Sequence, residues 1–115
     1  MAANKLISPN KVKAYMTNLN EINTLILDAL TELNQMLLPE KRFKPSTDLK
    51  LAGAEGVLDS LAMVNLLVIM EEMVYDRLNL EITLAGISMS EKATPFIDVS
   101  HLAEYILGLT REKSD

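Results

Sequence analysis

Cysteine is absent from the 115 residues, which excludes disulfides, thiol nucleophiles and thiolate metal sites built from this chain. A single histidine excludes a multi-histidine metal centre. Aromatic residues are scarce, with two Phe, three Tyr and no Trp, so a stacking platform for single-stranded nucleic acid is not expected. The net charge of −5 argues the same way, because phosphates need cationic partners. Long hydrophobic runs are missing too. The longest, Leu61–Met70, is interrupted by Asn65 and falls well short of the roughly 20 residues that a membrane-spanning helix needs. Met1 to Ser8 holds no long apolar core behind basic residues, so no signal peptide is expected. These absences predict a cytoplasmic chain with no membrane insertion and no nucleic-acid partner.

What is present suits a small globular domain. A chain of 115 residues matches one domain against a prior of roughly 150 residues each, and should bury about two thirds of its unfolded surface. Charge is uneven. Residues 1–50 carry seven Lys/Arg against five Asp/Glu (net +2), and residues 51–115 carry four against eleven (net −7). That is either an ordinary solvated surface or an acidic half that steers toward basic partners.

Periodicity predicts an all-α fold. Ser8-Pro9 has the form of a helix start, a hydroxyl cap before a proline. Ile22, Leu25, Ile26, Ala29, Leu30, Leu33 and Leu37 recur at spacings of three and four, an amphipathic helix that Pro39 is expected to end. Thr17, Asn18 and Asn20 are poor helix formers and could mark a break before it. Residues 40–58 lack periodicity and contain Pro45, Gly53 and Gly56, so a long loop is expected. Loops of that length in compact domains are often functional. Asp59-Ser60 can cap a second helix running to about Arg77. It carries one apolar stripe of Met63, Leu66, Leu67, Met70 and Val74, and a second of Leu61, Val64 and Val68. On periodicity alone, a central helix packed on two sides is the simpler expectation. The alternative is one face in the core and one for a partner. Leu80 to Leu84 alternates like a strand but has no second strand to pair with, so it is expected as an extended connector. Ser90-Glu91-Lys92 has the form of a brief helical turn. Asp98 is placed to cap a last helix along Val99, Leu102, Ala103, Ile106 and Leu107, with Gly108 placed to end it.

The stretch Gly56-Val57-Leu58-Asp59-Ser60-Leu61-Ala62-Met63-Val64-Asn65-Leu66-Leu67 puts an acid and a hydroxyl where the loop meets an apolar helix. Asp and Ser are favoured caps on purely local grounds. The stretch also resembles the phosphopantetheine attachment site of the acyl carrier protein family, whose hallmark is Asp-Ser-Leu at the start of the second helix. The resemblance covers roughly residues 20–108, including the tail from Leu80 to Leu84 and Thr94-Pro95-Phe96-Ile97-Asp98-Val99. It implies a four-helix bundle of three main helices and one short one with a long first loop. A flexible extension at 1–8, a carrier domain at 9–109 and a tail at 110–115 are expected.

The resemblance further implies 4′-phosphopantetheine, taken from coenzyme A, on Ser60. Asp59 would help a phosphopantetheinyl transferase recognise the site, and Leu61 would pack beneath the arm or against that transferase. Val64 and Val68 would contact partner enzymes or line the mouth of an acyl cavity, and Glu71 and Glu72 would meet basic enzyme surfaces. The partners implied are the transferase, an acyl- or aminoacyl-loading enzyme and a downstream synthase or acyltransferase, with the carrier itself monomeric and non-catalytic. The chain departs from the common pattern in carrying Ala62 and Asn65 where acids are usual. Met63 and Ile69 are expected to add apolar surface, so docking should rest on shape and apolar contact. The spacing from Gly56 to Asp59 is one residue longer than usual, which is similar to D-alanyl and other aminoacyl carriers.

Two rivals stand beside this reading. A hydrolase would need Ser60 and His101 in a triad, but Ser60 is flanked at two residues by Leu58 and Ala62 rather than the glycines of a nucleophile elbow. His101, in the first turn of the last helix, is expected at or near the surface. An unmodified helical interaction module would use an apolar groove, with the seven Met supplying an adaptable surface.

Overall fold

The computed structural model describes residues 18–84 and 96–113. Among them are three α-helices, α1 (Leu19–Asn34), α2 (Ser60–Leu78) and α3 (Val99–Lys113), and a 3-10 turn at Pro39–Lys41. No strand occurs among the described residues, and one isolated antiparallel bridge joins Lys50 to Asp98. The architecture is all-helical. The expected helix start at Ser8-Pro9 and the expected turn at Ser90-Glu91-Lys92 lie outside the described residues.

Asn18 settles where α1 begins. Its backbone is extended (φ −120°, ψ 174°) and its side-chain oxygen accepts from the Glu21 N–H at 3.0 Å, a standard use of a residue that competes poorly inside a helix. Ile22, Leu25, Ile26, Ala29, Leu30 and Leu33 are buried as the stripe requires. The helix ends at Asn34, earlier than the expected stop at Pro39. The chain tightens first: the N–H groups of Gln35, Met36 and Leu37 bond to the carbonyls of Glu32, Leu33 and Asn34, three residues back. Pro39 acts one step later, holding Leu38 extended at ψ 147°. The freed end is closed by the loop. Arg42 Nε donates to the carbonyls of Asn34 and Leu37, and the Asn34 side chain both donates to and accepts from the backbone of Phe43.

The long loop is ordered by its own turn. Gly53 has φ +88°, a left-handed conformation that costs glycine little. Around it the chain folds back, so that Val57 and Leu58 N–H donate to the Lys50 and Leu51 carbonyls. Leu51 is fully buried, and its N–H donates to the Ile97 carbonyl at 2.8 Å, while Val99 N–H donates to Leu49 at 3.2 Å. The segment before α2 is thereby stitched to the start of α3.

In α2 the first stripe (Met63, Leu66, Leu67, Met70, Val74) is core. The second is not: Leu61 and Val68 are exposed and Val64 is half-buried. The expectation of a helix packed on two sides is therefore corrected. It is α1 that packs against both α2 and α3. Met63 is buried as well, so it adds nothing to the outer surface. Asn79, left-handed at φ 56°, closes α2, a conformation that asparagine tolerates better than most. Among the described residues the connector pairs with no strand, and its burial alternates, with Leu80, Ile82 and Leu84 turned into the core and Glu81 and Thr83 out. Asp98 caps α3 through the His101 N–H at 2.8 Å. The helix does not stop at Gly108; it continues to Lys113. Glycine signals a stop only where the chain beyond it leaves the core, and here Thr110 is buried with its hydroxyl on the Leu107 carbonyl, and Leu109 packs against the core. Among the described residues, no helix is long and apolar enough to cross a membrane.

Candidate functional site

The loop delivers the chain to α2 through a tight approach. A Cβ on Gly56 would lie 2.4 Å from the Leu51 carbonyl oxygen, so only glycine fits that turn without moving backbone. Three residues on, Asp59 is the N-cap of α2: its carboxylate accepts from the Ala62 N–H at 2.8 Å, and its carbonyl accepts from Met63 N–H at 2.9 Å. Ser60 is the first helical residue and is exposed. Among the described residues, no side chain hydrogen-bonds to its hydroxyl. An unassisted serine hydroxyl is a weak nucleophile. A phosphoryl group at this position would meet the positive end of the helix dipole.

His101 belongs to a cluster on α3 with Asp98. It is exposed at the first turn of α3, with Nδ1 2.7 Å from Asp98 Oδ1. The Asp98 carboxyl is held below its usual value, first by the hydrogen bond from the His101 backbone N–H and then by the one from the His101 ring, with burial opposing them. Lys50 Nζ, 3.7 Å away, adds a weak attraction. This cluster ties the loop before α2 to α3.

Beyond Ser60 an exposed apolar strip runs along α2. Leu61 is 72% exposed, Val68 41% and Tyr75 54%. At about 100° per residue these side chains, with Val64 and Glu72, fall within an arc of about 80°, and Ser60 and Tyr75 stand roughly 22 Å apart along the axis. Glu72 is exposed on this face. Glu71 is half-buried, and its carboxylate accepts from the Leu84 N–H, so it anchors the connector. The structure thus groups Ser60, Leu61, Val64, Val68 and Glu72 along one side of α2 and draws Glu71 inward.

No protein-family model, curated protein or solved structure matches this chain.

Two of the open grooves that border α2 bear on this site. One, of about 620 Å³, is strongly acidic, with Glu71, Glu72, Asp76 and Glu81 around Tyr75 and Ile82. The other, of about 570 Å³, starts at Asp59 and runs along the first loop past Val57, Phe43 and Leu37, with Lys41 and Arg42 beside it. Sequence reading missed both. The second is assembled from a loop without periodicity, and only its length hinted at a use. The first depends on the connector folding back on α2, which no local pattern encodes. Among the described residues, no group of three or more His, Asp or Glu could hold a metal ion.

Proposed function

We propose that this chain is a carrier protein that bears 4′-phosphopantetheine on Ser60 and delivers acyl or aminoacyl groups to partner enzymes. One observation carries the reading. Ser60 is an exposed hydroxyl at the first residue of a helix, with no side-chain hydrogen-bond partner among the described residues, and the apolar residue that follows it, Leu61, is 72% exposed. With Val68 and Tyr75 also exposed, Leu61 begins an apolar strip, and exposed apolar patches mark interaction surfaces. The residues around Ser60 suit the group: the Asp59 cap fixes the helix start, and the serine is free to react.

In the loading step, the Ser60 oxygen forms a bond to the phosphorus of coenzyme A that bears the pantetheine. The bond from that phosphorus to the adenosine bisphosphate breaks, and the serine proton passes to a base of the transferase. The thiol at the end of the arm supplies thioester chemistry that this cysteine-free chain lacks. The chain's own residues position and recognise. Asp59 holds the helix start and presents charge to the transferase, Leu61, Val64 and Val68 offer an apolar docking strip, and Glu72 offers a carboxylate to a basic partner surface. With Glu71 committed to Leu84, docking rests mainly on apolar contact. In this reading the protein is a cytoplasmic monomer, and its full fold is a four-helix bundle.

The test is intact mass after incubation with coenzyme A, magnesium and a broad-specificity phosphopantetheinyl transferase. The parent should gain one phosphopantetheine and the Ser60→Ala variant none. A folded parent that gains nothing with several transferases sinks the carrier reading and leaves an unmodified interaction module, for which Ser60→Ala should be silent.

A further inference from the structure

Resting on that reading, we infer that the groove between the first loop and the start of α2 is the resting site of the arm itself. The groove and the attachment point share a residue: Asp59 caps the helix that begins at Ser60 and also lines the groove. An arm tethered at Ser60 therefore starts one residue from the opening. Its volume of about 570 Å³ lies within the roughly 300–1,000 Å³ of small-molecule sites.

The lining matches the chemistry of the arm. Pantetheine is neutral, with two amides, a hydroxyl and a geminal dimethyl group. Leu37, Phe43 and Val57 supply apolar surface for the methyl groups. The charged groups at the groove, Lys41 and Arg42 against Glu40 and Asp59, balance, which favours a neutral, amide-rich occupant over a strongly charged one. The walls are held in place. Phe43 is fixed by two backbone hydrogen bonds with the Asn34 side chain, and Arg42 by its bonds to the Asn34 and Leu37 carbonyls. A shallow, open groove would bind free pantetheine poorly. A short flexible tether raises the effective concentration to the order of mM, so a weak site is filled. The exposed strip of Leu61 and Val68 on α2 then stays clear for a partner while the arm is at rest.

The experiment compares the full chain before and after modification by amide chemical-shift mapping, with mass confirming complete loading. Phe43, Gly56 and Val57 should shift along with Asp59–Leu61, and the arm's methyl protons should show cross-relaxation to the Phe43 ring. Val57→Glu changes an exposed loop residue. It should gain the same mass on loading yet lose the Phe43 shift and the cross-relaxation, and its arm thiol should be alkylated faster than the parent's. Complete loading with shifts confined to Asp59–Leu61 overturns the inference and leaves the carrier reading standing. Absence of any mass gain in folded protein overturns both.

Discussion

Asp59 has two separable roles, and two substitutions pull them apart. Its carboxylate accepts a hydrogen bond from the Ala62 N–H at 2.8 Å, and the residue is exposed. Asparagine caps helices about as well as aspartate, whereas alanine at an N-cap costs about 1 kcal/mol, within a range of roughly 0.5–2. Loss of the negative charge from the helix N-terminus costs roughly 0.3–1 kcal/mol at an exposed site. Asp59→Asn should therefore lower stability by no more than about 1 kcal/mol, and Asp59→Ala by about 1–2 kcal/mol. For a domain of this size each kcal/mol moves the melting temperature by about 4 °C. Thermal unfolding followed by circular dichroism reads this ordering. Intact-mass kinetics with the transferase read the other role. If the charge is what the transferase recognises, both variants load slowly although Asp59→Asn is nearly as stable as the parent. Equal destabilisation by Asn and Ala would refute the capping argument. Loading of Asp59→Asn at the parental rate would refute recognition by charge.

The Asp98 carboxyl is held below its ordinary value chiefly by hydrogen bonds from His101. Its contribution to stability is thus present above the unfolded carboxyl's pKa and is lost as pH falls through the lowered folded value. An acid titration of stability should show Asp98→Asn less sensitive than the parent across that acidic window, and identical slopes would count against the cluster. Glu71→Ala leaves the Leu84 N–H without its acceptor and should cost roughly 1–3 kcal/mol. Hydrogen exchange at the Leu84 amide should speed up, with the α1 core unchanged. Gly56→Ala drives a Cβ into the Leu51 carbonyl, and the displaced loop should cost roughly 1–3 kcal/mol in chemical denaturation. A neutral result there would mean that the turn is not held as tightly as its geometry implies.

Most of what could be read along the chain was decided within a few residues of itself. The stripe from Ile22 to Leu33 marks α1 because burial at intervals of three and four is a property of the helix alone. Asp59 and Asp98 could be read as caps because a short acceptor before an apolar run satisfies backbone donors only two or three residues away. The alternation of Leu80, Ile82 and Leu84 gave the connector, and its lack of a partner strand kept it from being a sheet.

Other features needed the whole fold. Two apolar stripes on α2 were visible, but which of them faces solvent is set by where α1 packs, and that left Leu61 and Val68 outside. The ends of α1 and α3 escaped local reading for the same reason: Arg42 closes the first from eight residues away, and the burial of Thr110 carries the second past Gly108. Glu71 looked like Glu72 until the connector brought the Leu84 N–H to it. Local pattern specified where the helices lie, their N-terminal caps and the hydroxyl at Ser60. Tertiary structure alone decided which apolar face stays open and built the groove beside Asp59, because both depend on contacts between residues far apart in the chain, which no local periodicity records.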